Sequence, residues 1–293
     1  MRRKLICILL ATLLTLPMAL SAVAATFPDV TEESFAWALD AVEEMVEDGI
    51  IKGYTDNTFK PDRTVSKVES LVLSARILGY TDKTLAPFTA FATEFYADIL
   101  EKYETPYKGE ISFLLYKDVI SEKELSFYIG GDNATAGMKR YEVAKLLTRT
   151  MGGEAKIDLD ASTAEYIDSS SIPADAKPYV RFVTDEGIMN GMGEGFFGPM
   201  EDVNRAQIAT LLYRLRGKMQ ETYLYGTVRE IDAELGTIAV LVEGGEEKVV
   251  TIMDESAVAI KKDGYSEPLS RIESGAEVLI TLRGGAVAMG DAI

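Results

Sequence analysis

Residues 49–61 read GIIKGYTDNTFKP and residues 187–199 read GIMNGMGEGFFGP, one phrase written twice at a constant offset of 138 residues. The same offset lays Ala38 on Ala176, Val42 on Val180, Ile50 on Ile188, Phe59 on Phe197, Leu73 on Leu211 and Arg76 on Arg214 without a gap. A weaker copy lies halfway. An offset of 69 sets Tyr96-Ala97-Asp98-Ile99 on Phe27-Pro28-Asp29-Val30, and after a short insertion an offset of 73 sets Arg140 on Lys67, Glu142 on Glu69 and Arg149 on Arg76. Tandem units of this size bury a core that no single unit closes alone, so binding surfaces are expected in the grooves between them.

Each unit carries helical periodicity on either side of a turn-rich loop. Leu39, Val42, Met45 and Val46, with Trp37 ahead of them, recur at helical spacing and stop at Gly49; a second helix is expected over residues 67–78. The outer copy repeats this over 174–187 and 205–215, whereas 81–94 lacks periodicity and reads as a linker. From Thr222 onward the runs YLYGTVREI, TIAVLVE, KVVTIM, AVAIKK and EVLITL, parted by Gly- and Glu-rich turns, predict about six short strands closing into a small barrel-like domain. The fold expected is α+β and multidomain.

The first 25 residues join Arg2, Arg3 and Lys4 to a short apolar run and small residues, the pattern of a secretory signal peptide. The run is too short for a spanning helix, and no later segment is apolar enough. Cys7, the single cysteine, lies inside that peptide, and the chain has no histidine, so no disulfide, thiol chemistry or cysteine metal site is expected downstream. A formal charge of −17, more negative once the leader's cations are gone, argues against nucleic acid as a partner, since duplex binding rests on many Lys and Arg. Asp56-Asn57 reads as a turn, because the further spaced oxygens of a calcium loop are missing. No cofactor is expected.

The motifs in order are Phe27-Pro28-Asp29-Val30, Trp37-Ala38, Gly49-Ile50-Ile51, Phe59-Lys60-Pro61 and Ser66-Lys67-Val68-Glu69, echoed by Tyr166-Ile167-Asp168, Gly187-Ile188, Phe197-Gly198-Pro199 and Asn204-Arg205-Ala206-Gln207. Over residues 27–217 this resembles the S-layer homology family of bacterial surface modules. The resemblance implies repeats at 26–80, 95–153 (degenerate) and 154–221 around a pseudo-threefold helical centre, ahead of the β domain that the strand pattern places at 222–293. It also implies clefts that hold secondary cell-wall polysaccharide, often through a pyruvylated amino sugar. The partner expected is therefore cell-wall polysaccharide, with other surface proteins as a second class, and the location is the cell wall of an exported protein.

Ser66 with Glu69, and Asn204 with Gln207, have the residue types of a capping box. The cation between them has no place in capping: Lys67, Arg140 and Arg205 fall in a first helical turn, where the dipole disfavours positive charge by ~0.3–1 kcal/mol. An anion lodged at each helix start would reverse that sign; pairing with nearby carboxylates is the alternative. Arg140 is expected to matter least, because the loop of its own unit is rewritten as SEKELSFYIGGDNATAG. In the family, the residue matching Trp37 offers an aromatic face near the ligand, while Pro106 and Asp175 take that register position in the other units. Asp29, Asp98 and Asp168 recur as helix caps or as groups that orient the cleft, and Gly53 and Gly191 mark the loop.

Three other readings stay open. The β domain binds a glycan or protein while the repeats serve as scaffold; the chain tethers an outer membrane to the wall; or it is a carboxylate glycosidase, for which no acid pair stands out among so many acids. The chain is read as a non-enzymatic binding protein. Because strand periodicity takes over near residue 222, a purified 222–293 fragment is expected to show a cooperative β-type circular dichroism transition of its own; a featureless melt would show the boundary to be misplaced.

Overall fold

A computed structural model describes residues 27–219, 221–232, 234–242, 244–252, 259–262, 265–268, 272–283 and 286–292. The leader read over 1–25, with Cys7, lies outside them. The described residues form a helical part followed by strands, an α+β arrangement. Ten α-helices are described: α1 Glu32–Phe35, α2 Leu39–Glu47, α3 Lys67–Ile77, α4 Ala86–Phe95, α5 Ala97–Leu100, α6 Lys108–Tyr116, α7 Leu125–Ile129, α8 Arg140–Thr150, α9 Lys177–Asp185 and α10 Arg205–Lys218. The stretch 81–94 is not a linker. A 3-10 turn at Lys83–Leu85, with Leu85 buried, leads into α4, which buries Ala92 and lies along α6; Phe88, Phe91, Ala92 and Phe95 recur at helical spacing, a period the linker reading passed over.

The helices exchange partners between units: α2 packs on α10, α6 on α3, and α9 on α8. One hydrophobic cluster therefore runs through all three units, with Met45, Leu71, Leu114, Leu147, Val180 and Leu212 sealed inside it. Short extended segments ahead of α3, α8 and α10 complete the exchange. The Val65 amide donates to the Val203 carbonyl at 2.9 Å, Val203 to Met138 at 3.1 Å, and Met138 back to Val65 at 3.1 Å. The first helical amides run round the units in the opposite sense, Lys67 donating to Ala136, Arg140 to Glu201 and Arg205 to Arg63, at 2.9, 2.9 and 3.0 Å.

Both expected capping boxes form, Ser66 with Glu69 and Asn204 with Gln207. In α8 the Glu142 carboxylate accepts from the Lys139 amide at 2.8 Å, but a lysine has no acceptor to return the bond. Gly49 and Gly187 end α2 and α9 at φ 72° and 69°, and Asp118 occupies the matching place after α6 at φ 55°. A side chain is thus held in the left-handed region that glycine enters freely.

Among the described residues seven strands follow: β1 Glu221–Asp232, β2 Thr237–Val242, β3 Glu247–Ile252, β4 Ala259–Lys262, β5 Tyr265–Pro268, β6 Glu277–Arg283 and β7 Ala286–Ala292. β1 pairs antiparallel with β2 and β6, β2 with β3, and β6 with β7. β3 also pairs in parallel with β7 at Thr251–Ala286 and Ile252–Val287, so the hydrogen-bonded order returns to its start. Val228, Ile238, Val240, Val278 and Ile280 form a second, separate apolar cluster, while Tyr225 packs against the helical one.

A Cβ added at Gly187 meets nothing within 4 Å, so its substitution isolates the cost of the positive φ. Gly187→Ala is expected to lower stability by about 1 kcal/mol, read as a reduced denaturant midpoint at unchanged slope.

Candidate functional site

The repeated motifs meet in a loop that is locked from both sides. In the first unit Asp29 accepts the amides of Phe59 at 2.9 Å and Lys60 at 2.8 Å; in the third, Asp168 accepts those of Phe197 at 2.9 Å and Gly198 at 2.8 Å. Rings close the same junction, Phe27 against Phe59 with centroids 5.5 Å apart and Tyr166 against Phe197 at 5.3 Å. Asp29 and Asp168 therefore cap no helix. They clamp the loop, which an aspartate does well because its two oxygens accept successive amides. Gly53 and Gly191 serve the same closure: a Cβ at Gly53 would overlap the Phe27 ring, and one at Gly191 would press on the Phe196 carbonyl.

The clamped loop turns its carbonyls toward a cation from another unit. Arg205 donates from Nε to the Phe59 carbonyl at 2.7 Å and from Nη2 to the Lys52 carbonyl at 2.8 Å. Arg140 repeats this on the third unit, to Phe197 and Asn190, both at 2.8 Å. Lys67 takes another course, its ammonium lying 3.5 Å from the centroid of Phe127. All three cations are buried, and burial pulls the pKa of Arg140 and Arg205 below the ordinary guanidinium value. A guanidinium nevertheless stays charged in a protein.

Two expectations change here. The leading amides of α3, α8 and α10, those of Lys67, Arg140 and Arg205, are already taken by carbonyls of another unit, so these helix starts are not bare; the Arg140 and Arg205 side chains leave the helix axis for a loop. Arg140 is not tied to the rewritten loop of its own unit either, because it serves the intact loop of the third.

Three clefts result. The first, with a volume of about 410 Å³, brings Trp37, Arg140 and Gly191 together with Asn190, Gln207 and Arg214. No carboxylate lines it. Trp37 lies in the turn before α2 rather than within the helix, and is 55% exposed. Arg214 is steadied by one bond from Nη1 to the Ile188 carbonyl at 3.3 Å. The second cleft, about 210 Å³, holds Arg205, Lys52 and Arg76 at the matching positions, with Tyr107 in the place of Trp37. Glu69 replaces Gln207 there and is held by the Ser66 amide and the Arg63 guanidinium, which outweigh burial and keep its pKa below the ordinary value.

The third cleft, about 220 Å³, differs in charge. Lys145 pairs with Asp175 at 2.8 Å, and Arg149 with Glu124 at 2.6 Å and Glu154 at 3.2 Å. Of the residues singled out from the sequence, the structure gathers three in the first cleft and Arg205 in the second. Lys67 stands behind Phe127 at the third. Asp29, Asp168 and Gly53 lie under the loops, and Asp98 sits in the first turn of α5. The late-helix arginines Arg76, Arg149 and Arg214 were missed as site residues, although their recurrence in all three units was visible.

The S-layer homology domain model matches residues 26–69 and 165–209, so both outer segments are S-layer homology domains. Domains of this family hold surface proteins on the cell wall. The chain is 24% identical over 247 residues to an endoglucanase of Bacillus sp. (strain KSM-635), covering 82% of this chain and 24% of that protein. It is 26% identical over 203 residues to an amylopullulanase of Thermoanaerobacterium thermosulfurigenes (66% and 10%). It is 23% identical over 230 residues to the surface-layer 125 kDa protein of Lysinibacillus sphaericus (74% and 17%). The chain thus spans a tenth to a quarter of the length of these relatives. Together with the two domains, the surface-layer relative marks an exported, cell-wall-associated surface protein; among the described residues no helix is long and apolar enough to cross a membrane.

The Lys145 bond lowers the Asp175 pKa, and for Glu124 burial acts to raise it but the Arg149 and Ser121 bonds prevail, leaving it below the ordinary 4.5. Carboxylates depressed on folding contribute stability that is present above their unfolded values and is lost as pH falls through the folded ones. Stability is expected to be level above about pH 5 and to fall below it. Arg149→Met should make that fall shallower, read from denaturant midpoints across pH.

Proposed function

We propose that the chain anchors an exported protein to the bacterial cell wall without a covalent bond, by holding an acidic secondary cell-wall polysaccharide in the clefts between its units. The middle unit is read as a third, degenerate repeat, and the three as a pseudo-threefold bundle; the cyclic bonds through Val65, Met138 and Val203 support this. The first cleft carries the proposal. Arg140 and Arg214 face one cavity beside an exposed tryptophan, with no acid in its lining, in a chain whose formal charge is −17. Two guanidiniums left without a carboxylate fit a ligand that brings its own, such as a pyruvylated amino sugar, and an indole face suits the apolar side of a sugar ring.

We read the chain as a binding protein and not an enzyme. What it shares with the glucanase and pullulanase is a small part of their length, which fits a common means of attachment and not a common catalytic domain. The strands are read as a barrel-like domain at 222–293 carried by this anchor, with Tyr225 as its contact to the helices.

Purified protein is expected to bind sacculi that retain the secondary polymer and to lose them once acid has stripped it. A hydrogen bond to a charged group contributes about 1.5–3 kcal/mol, so Arg214→Ala and Arg140→Ala should each weaken binding roughly tenfold or more. Binding unchanged in both folded variants, or retained on stripped sacculi, would overturn the assignment.

A further inference from the structure

The third cleft keeps the plan of the other two and reverses their chemistry. Where the others carry Thr210 or Val72, it carries Lys145; where they present Trp37 or Tyr107, it presents Asp175. Arg214 and Arg76 each spend one bond on a backbone carbonyl, while Arg149 is held by two carboxylates. A ligand carboxylate entering here would have to displace Asp175 from Lys145, or Glu124 and Glu154 from Arg149. It would also meet Glu142 in the lining, so that acids outnumber bases.

That lining still offers what an uncharged sugar needs. Hydroxyls both donate and accept, and the Lys145–Asp175 pair sets an ammonium donor beside a carboxylate acceptor at the rim, with Asp175 71% exposed. Phe127, Tyr128, Tyr141 and Pro173 provide the apolar wall, and Phe127 is 37% exposed although Lys67 lies against its ring. A cavity of about 220 Å³ has room for one sugar residue. We propose that the third cleft binds an uncharged sugar residue, and that Asp175 is the group that bars an acidic one. This rests on the reading of the other two clefts as sites for acidic sugars, and implies that the chain grips one polymer at chemically different residues.

The test uses two methyl glycosides of the same N-acetylated amino sugar, one bearing a pyruvate ketal and one without it, added to the full chain. Side-chain nitrogen resonances of Lys145 and Arg149 report the third cleft, and the fluorescence of Trp37, the sole tryptophan, reports the first. The plain glycoside should move the Lys145 and Arg149 signals while the ketal leaves them in place. In Asp175→Asn, which keeps the shape and removes the charge, and in Asp175→Ala, the ketal should bind at Lys145 roughly tenfold more tightly than it does in the parent. Signals that answer the ketal as strongly as the plain sugar in the parent chain, or answer neither, or keep their preference in both variants, would each overturn the proposal. Failure of Trp37 to respond to the ketal removes the reading of the first cleft alone, since the Lys145 and Arg149 resonances are judged separately.

Discussion

Val65, Met138 and Val203 each give an amide hydrogen to a carbonyl in another unit, and none of them can complete its backbone bonding within its own. Their side chains are buried, so an unmade bond there would leave a polar group away from water at a cost of roughly 1–3 kcal/mol. This mutual dependence sets the start of α3, α8 and α10 relative to one another. The side chains of the next residues but one, Lys67, Arg140 and Arg205, are thereby launched across a unit boundary. The first and second clefts are consequences of that launch, since Arg140 lines one and Arg205 the other.

Burying a guanidinium is expensive, and here the cost is offset by neutral acceptors and not by a carboxylate. Arg140 and Arg205 each receive two carbonyls from a loop that an aspartate has already fastened from behind. Carbonyl dipoles stabilise the charge without cancelling it. The site therefore remains electropositive inside an acidic protein, and its cations are held in place before any ligand arrives. A salt bridge at the same position would have given comparable order and no field.

The third cleft shows what happens when that economy is abandoned. Its loop has lost the Phe-x-Pro phrase, its cation is a lysine resting on Phe127, and its remaining basic residues are matched by acids supplied by neighbouring elements. Packing is retained, because α9 lies on α8 as α2 lies on α10. The middle unit therefore supplies two things at once: the backbone bonds that complete the assembly, and Arg140, which works in the cleft of its neighbour.

The sequence by itself determined the periodic and local features. The offset of 138 residues fixed the repeat, capping-box pairs fixed where α3 and α10 begin, Gly49 and Gly187 fixed where α2 and α9 end, and alternating β-branched runs announced the strands. These depend on residues a few positions apart, and a linear reading sees them. Helix α4 escaped although Phe88, Phe91, Ala92 and Phe95 recur at helical spacing, because it lies in an insertion with no counterpart in the repeat register; α6 holds it in place. Only the tertiary structure decided which cation serves which loop. Arg140 and Phe197 are 57 residues apart, and Arg205 and Phe59 are 146 apart, joined by an exchange of helices that no local propensity encodes. The family resemblance anticipated clefts, but their charge depended on Asp175 and Glu124 arriving from other elements. Electrostatics in a folded chain follows distance in space, so the sign of a cleft is settled when its walls come together.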